Sequence, residues 1–295
     1  TGLRVNFFQS KKNWASPLSF GTRLFARSRR LQIFLSASAT ACACYWRVEK
    51  APKNVQMVQK VSLLQGVSIT AAADNASRPV KPQDAGSLIM LRWQGGQLQV
   101  LMGQRRLNAR FMPGMLVFPG GAVDASDRAL RLACALGPAS VEAMAAYGSV
   151  AQAQAQALAL AAVREAWEET GLLLGVPGQL HDASHPSWQA FAQAGKAPAL
   201  GALRYVGRAI TPVASRIRFH ARFFMVDASH LTGNLSGDGE LCDLEWWQVG
   251  ELVDVPMLDV TRFMLERAVA LLQGTATEQP APLFTWRSGP RIVWR

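Results

Sequence analysis

Apolar residues along the chain fall into short alternating runs and two longer helical stretches, punctuated by glycine and proline. Residues 87–93 and 97–102 are apolar runs separated by Gln94, Gly95 and Gly96, which predicts two strands joined by a tight hairpin. Residues 116–118 form another short run that stops at Pro119-Gly120-Gly121. From 139 to 170 the chain is rich in alanine and helical in character. Its AQAQAQALALAAV portion either lengthens the helix that follows or forms a separate helix beside it. Residues 172–174 predict a strand, and the Gly/Pro-rich stretch 175–201 carries a helix near 188–194. Between 216 and 223 the alternation is clean, with Arg216, Arg218, His220 and Arg222 on one face and Ile217, Phe219, Ala221 and Phe223 on the other. The basic face either lines a cleft for an anionic substrate or is simply solvated. Residues 240–247 lead into a further strand, and 257–272 place apolar residues at 257, 258, 260, 264, 265, 268, 269 and 272, an amphipathic helix. The stretch through Trp286 and Trp294 adds a strand or a dimer contact. Mixed strands with helices on both faces predict an α+β fold, a three-layer α/β/α sandwich around a mixed sheet.

Charge changes this picture only at one end. The formal net charge of +11 suggests a polyanion partner until it is located. Residues 1–56 hold ten Lys/Arg and a single acid, Glu49, whereas the rest of the chain is close to neutral. A nucleic-acid partner is therefore not expected for the domain. The segment 1–56 is rich in Arg and Ser, as organelle transit peptides are. Its LQIFLSASATACAC stretch also allows a secretory signal, and a native start near Met57, the first methionine, is the preferred reading. No apolar run approaches the roughly 20 residues of a membrane span. Residues 71–87 read as a linker. The expected layout is an extension over 1–80, a domain over 81–275 and a tail over 276–295. Cys42, Cys44, Cys134 and Cys242 show no metal spacing, so free thiols in a cytoplasmic setting are expected.

The chemistry is concentrated in residues 164–172, REAWEETGL. Glu165, Glu168 and Glu169 stand at i, i+3 and i+4, which stacks three carboxylates on one helix face. Such a cluster repels itself unless a divalent cation joins it, and hard cations prefer oxygen ligands. Val163, Ala166, Trp167 and Thr170 occupy the opposite face, and Gly171 falls where a helix ends.

Together with Gly121 this segment resembles the Nudix hydrolases, whose signature reads G-x5-E-x7-R-E-U-x-E-E-x-G-U, with U a bulky aliphatic residue. Gly121, Arg164, Glu165, Glu168, Glu169, Gly171 and Leu172 match it. Asp127 replaces the first glutamate, Ala166 replaces the first U, and 36 residues separate Asp127 from Arg164 where the signature has 7. One branch, similar to the peroxisomal coenzyme A diphosphatases, carries a long insertion at this point. Its pattern ahead of the box is met by Arg110, Gly114, Phe118, Pro119, Gly120 and Gly121. The resemblance covers about residues 86–270, with the insertion at about 128–156.

The resemblance implies the Nudix fold and metal-dependent hydrolysis of a small-molecule nucleoside diphosphate substrate. Mg2+ or Mn2+ would be held by Glu165, Glu168, Glu169 and the carbonyl of Gly121. Glu165, Glu169 and, from the SGDGE run, Glu240 would carry the catalysis, with Glu245 and Asp238 as weaker choices. Arg164, Asp127, Gly120 and Gly171 would support the site. Arg105, Arg106, Arg110 and Arg222 would contact the substrate's phosphates. Coenzyme A or acyl-CoA is the expected substrate. ADP-ribose, NADH or a nucleotide sugar, and a non-catalytic nucleotide-binding module, are the alternatives. The insertion is expected to lie near the cleft and shape substrate choice.

Overall fold

The computed structural model describes residues 79–132, 134–146, 150–180, 183–237 and 239–294; the expectations for 1–56 and for positions 71–78 of the linker lie outside them, and the linker's positions 83–87 are strand instead. The hairpin is present as β1 (Gln83–Gln94) and β2 (Gln97–Arg105), closed by Gln94 opposite Gln97. Gly95 and Gly96 sit at φ 58° and 77°, the paired left-handed residues that match a two-residue turn to strand twist. β3 (Leu116–Val117) and β4 (Gly120–Ala122) flank the Pro-Gly-Gly turn. Then come α1 (Ala125–Ala129), α2 (Pro138–Ala145), α3 (Gln152–Thr170), β5 (Leu173–Pro177), α4 (Pro186–Gln193), β6 (Lys196–Pro198), β7 (Arg204–Ile210), β8 (Phe219–Asp227), β9 (Leu231–Thr232), β10 (Leu241–Gln248), α5 (Asp259–Leu272), β11 (Pro282–Trp286) and β12 (Pro290–Trp294).

The main sheet runs β10-β2-β1-β8-β7-β11-β12. β1 pairs parallel with β8 and β7 parallel with β11, while the other neighbours are antiparallel. β3 and β4 attach to β2 and β1, and β6-β5-β9 form a small second sheet. The pleat of β1 sorts the core. Leu88 and Met90 pack on the α3 side with Leu158, Ala159, Ala162 and Phe224. Ile89 and Leu91 pack on the α5 side with Met264, Leu265, Ala268 and Met225. A mixed sheet between two helical layers is the expected sandwich.

One open alternative is decided and two expectations change. The alanine-rich run is the front half of α3, and Ala155, Ala157, Ala159, Ala161 and Ala162 are buried there. Alanine both favours helix and lets α3 lie close to the sheet. The stretch 276–295 is not a separate tail, because β11 extends the sheet and Phe284 is buried in the core. The strand predicted from 216 begins only at Phe219. No helix among the described residues is long and apolar enough to cross a membrane.

Candidate active site

Arg164 organises the site from the middle of α3. Its Nε and Nη2 donate to Oδ1 and Oδ2 of Asp127 at 3.0 and 3.1 Å, and Nη2 also donates to the carbonyl of Ala122 at 2.9 Å. Its Nη1 donates to Oε2 of Glu168 and lies against Oε1 of Glu165, each at 3.0 Å. Asp127 is buried, and its Oδ2 accepts the Asp124 N–H at 2.8 Å in a capping box that starts α1. Burial raises the Asp127 pKa, and Arg164 opposes that rise. Burial alone would lower the Arg164 pKa, but Asp127, Glu165 and Glu168 hold it above the ordinary arginine range. The shorter acid at this position of the signature therefore anchors Arg164 and the loop carrying the Gly-Gly turn.

The two glycines of that turn each serve a carboxylate. The N–H of Gly120 donates to Oε2 of Glu169 at 2.8 Å. At Gly121 a Cβ would fall 2.5 and 2.7 Å from the two carboxylate oxygens of Glu165, so any side chain there would push that carboxylate aside. Gly171 closes α3 in the left-handed conformation at φ 71°, and Ser236 N–H donates to the carbonyl of Thr170 at 2.8 Å. That contact lays the 233–237 loop over the helix end, and the chain then delivers Glu240 beside the site, where Arg105 Nη2 donates to its Oε1 at 2.8 Å. Burial first, then Glu168 and Glu240, pushes the Glu165 pKa up to about 7 against the pull of Arg164. Burial, Glu165 and Glu240 push Glu169 up to about 9 despite the Gly120 hydrogen bond. At both carboxylates burial and like charge outweigh the nearby arginines.

Glu168 is placed differently. Its Oε1 accepts the hydroxyl of Ser187 and lies 3.8 Å from His185 Nδ1, so it ties α3 to the start of α4. Among the described residues, no three His, Cys, Asp or Glu side chains converge as a ready metal cage. The expected trio of Glu165, Glu168 and Glu169 is not closed, because Glu165 and Glu168 share Arg164 Nη1, Glu168 also accepts from Ser187, and Glu169 accepts from the Gly120 N–H. The donor chemistry still fits a hard cation: the pKa values of Glu165 and Glu169 are raised by burial and by neighbouring carboxylates, Glu240 among them, and the side chains offered are oxygen donors.

The site opens into a cavity of about 420 Å³, a size ordinary for a small-molecule pocket. Arg105, Glu165, Glu240, Gly120 and Gly121 line one part of it. Phe111, Met112, Phe219, Phe223, Phe284 and Trp286 supply apolar walls, and the start of α5 contributes as well. Sequence reasoning missed these walls. The alternation of 216–223 did mark Phe219, Ala221 and Phe223 as one face, but the apolar face meets the cavity. On the basic face Arg216 is exposed, Arg218 donates to the carbonyls of Thr211 and Val80, and Arg222 turns toward α3, which corrects the expectation for Arg222. It is buried, and its Nη1 donates to Asp84 Oδ1 at 3.0 Å, while Gln154 donates to the other oxygen at 3.0 Å. β8 is central in the sheet, so a charge there needs a buried partner rather than solvent. Arg106 and Arg110 are exposed and, unlike Arg105, do not line the cavity. Asp238 lies outside the described residues, and Glu245 pairs with Met102 across β10 and β2, away from the cavity lining.

The insertion also departs from expectation. Among the described residues none between 128 and 156 lines the cavity. Leu130, Leu136, Ala143, Met144 and Ala155 instead join the core on the α3 side of the sheet.

No protein-family model and no curated protein matches the sequence. Solved structures do. A NUDIX hydrolase from Alicyclobacillus acidocaldarius is 25% identical over 68% of this chain and 99% of its own, with a TM-score of 0.51. A MutT protein from Bacillus halodurans is 15% identical over 72% of this chain and 96% of its own, with a TM-score of 0.39. The Alicyclobacillus likeness assigns the Nudix hydrolase fold, and with the box assembled around Arg164 the chain is an enzyme of the Nudix hydrolase type.

Proposed function

We propose that the protein hydrolyses a nucleoside diphosphate-linked substrate with the help of a divalent cation, and that this substrate is coenzyme A or an acyl-CoA. The observation that carries the reading is a single cavity with apolar aromatic walls that ends on Glu165, Glu240 and Arg105 beside Gly120-Gly121. A diphosphate needs the charged end, and a slender organic arm fits the walls. The pattern of Arg110, Gly114, Phe118 and Pro119 ahead of the turn supports the coenzyme A branch over ADP-ribose, NADH or a nucleotide sugar.

Mg2+ or Mn2+ would be held by Glu165, Glu169 and the Gly121 carbonyl, with Glu240 near and Glu168 joining only by giving up Ser187. Such a cation neutralises diphosphate charge and lowers the pKa of a water bound to it. The chain's own groups do the rest. Glu165, whose carboxylate lies against Gly121 at the polar end of the cavity, is the group placed to accept a proton from the attacking water. As the water oxygen bonds to phosphorus, the bridging P–O bond breaks, and the proton passes to a Glu165 carboxylate oxygen. Arg105 sits where it can orient a phosphate, and the aromatic walls give the substrate's organic part apolar surface. Arg164 positions Glu165 without touching substrate. The test is incubation with Mg2+ and coenzyme A, ADP-ribose, NADH and a nucleotide sugar, with products identified by mass. Release of 3′,5′-ADP and 4′-phosphopantetheine at the highest kcat/KM supports the reading. A clear preference for ADP-ribose or NADH replaces the substrate, and no turnover of any of them contradicts the activity.

A further inference from the structure

Glu168 differs from the other two glutamates of the α3 face in having both carboxylate oxygens engaged. Glu165 turns Oε1 to Arg164, and Glu169 turns Oε2 to the Gly120 N–H. Glu168 accepts from Arg164 Nη1 at Oε2, at 3.0 Å, and from the hydroxyl of Ser187 at Oε1. Glu165 lines the cavity and Glu168 does not. Yet Arg164 Nη1 touches both carboxylates, so a reoriented Glu168 lies within reach of a cation held by Glu165.

Ser187 is placed to hold Glu168 where it is. It is 1% exposed and stands in the first turn of α4, after Pro186 and the capping His185. Trp188 and Phe191, both buried and with ring centroids 5.5 Å apart, anchor α4 in the core on the α3 side. Apolar packing thus fixes the helix, and the helix fixes the hydroxyl. His185 does not substitute for it. Its Nδ1 accepts the Ser187 N–H at 3.3 Å, so that nitrogen has no proton for Glu168 Oε1, 3.8 Å away. A hydroxyl donating to a carboxylate makes one of the stronger hydrogen bonds of proteins, and this hydroxyl is screened from water.

We propose that Ser187 is a positioning residue that withholds Glu168 from the cation, so that a divalent ion here meets Glu165 and Glu169 without the third carboxylate of the helix. This rests on the reading of the cluster as a cation site. Affinity for a hard cation follows the number of charged ligands. One carboxylate fewer means looser binding of the ion and more of its charge left for the diphosphate.

The test measures Mn2+ binding to the full chain by the electron paramagnetic resonance of the unbound ion, with no substrate present. Wild type, Ser187→Ala, Glu168→Gln and the double variant are compared, each with its melting temperature. Ser187→Ala is expected to bind Mn2+ about 10-fold more tightly, the scale of one charge-assisted hydrogen bond no longer competing for Glu168. Glu168→Gln should stay within about 2-fold of wild type when made alone, and should remove the whole gain when added to Ser187→Ala. A serine that only ties two helices together would lower the melting temperature and leave this coupling at zero. Unchanged or weaker Mn2+ binding in Ser187→Ala, a gain that survives Glu168→Gln, or a marked loss in Glu168→Gln alone would overturn the assignment and leave the cation site in place. Glu168→Gln alone decides the point even where Ser187→Ala does not fold. No Mn2+ bound by wild type or by Ser187→Ala would overturn the assignment and the cation site together.

Discussion

Arg164 and Asp127, 37 positions apart in sequence, meet in a buried two-point ion pair at 3.0 and 3.1 Å. That pair is what holds the Gly-Gly turn against α3, so its loss should be felt first in stability. Arg164→Met leaves Asp127 charged and enclosed, and a broken buried pair costs about 3–5 kcal/mol. Urea unfolding of Arg164→Met and of Arg164→Met with Asp127→Asn is the check. The double variant should recover a good part of the loss; a single-variant loss under about 1 kcal/mol would show that the pair is not the anchor.

Gly121 is expected to be intolerant for a different reason. A Cβ at Gly121 would displace the Glu165 carboxylate, and misplacement of a catalytic group by about 1 Å can cost about 100-fold in rate. Gly121→Ala should therefore lose about that much kcat while its melting temperature stays near wild type. A variant that melts normally and works normally would remove Glu165 from the proton transfer.

Protonation of the cluster has a definite sign. Glu165 and Glu169 have pKa values raised to about 7 and about 9, above the 4.5 of an unburied glutamate, so the fold favours their neutral forms. Their contribution to stability is complete below pH 4.5 and is lost as pH rises through 7 and 9. Metal-free protein should melt at falling temperature from pH 5 to pH 9, and Glu169→Gln should flatten that fall. Mg2+ at pH 8 should raise the melting temperature of the wild type more than that of Glu169→Gln. A wild-type melting temperature that does not change over this range in chelator would contradict the assigned burial.

Much of this was legible in the sequence because local patterns dictate local structure. The Gly95-Gly96 hairpin, α5 and the carboxylate face of α3 each follow from periodicity or turn chemistry within a few residues. What failed depends on which side of a sheet a residue faces. Alternation over 216–223 separates two faces but cannot say which meets solvent, and β8 lies in the middle of the sheet. Arg222 was thus assigned to the cleft when it pairs with Asp84. Phe284 and Trp286 reach the cavity only because β11 pairs with β7, a contact between residues more than 70 positions apart that no local pattern announces.

The insertion is expected to act on stability rather than on choice of substrate. Met144 is buried in the α3-side core, away from the cavity lining. Met144→Ala should cost about 2–5 kcal/mol, as methionine truncations in cores do. The ratio of kcat/KM for coenzyme A to that for ADP-ribose should stay as in the wild type. A changed ratio in a stably folded variant would bring the insertion back to the substrate.

The central claim is that the buried carboxylates at the Gly-Gly turn form a metal-dependent hydrolase site, and Glu169 is where it is most exposed to test. Gln keeps the Gly120 N–H satisfied while removing the negative charge, so fold and cluster geometry should survive in Glu169→Gln. The measurement is kcat for coenzyme A at saturating Mg2+, alongside Mg2+ affinity, for wild type and variant. A loss of at least about 100-fold in turnover with weakened Mg2+ binding is expected, the scale of removing a preorganised electrostatic group. A near-native rate with unchanged Mg2+ affinity would contradict the account.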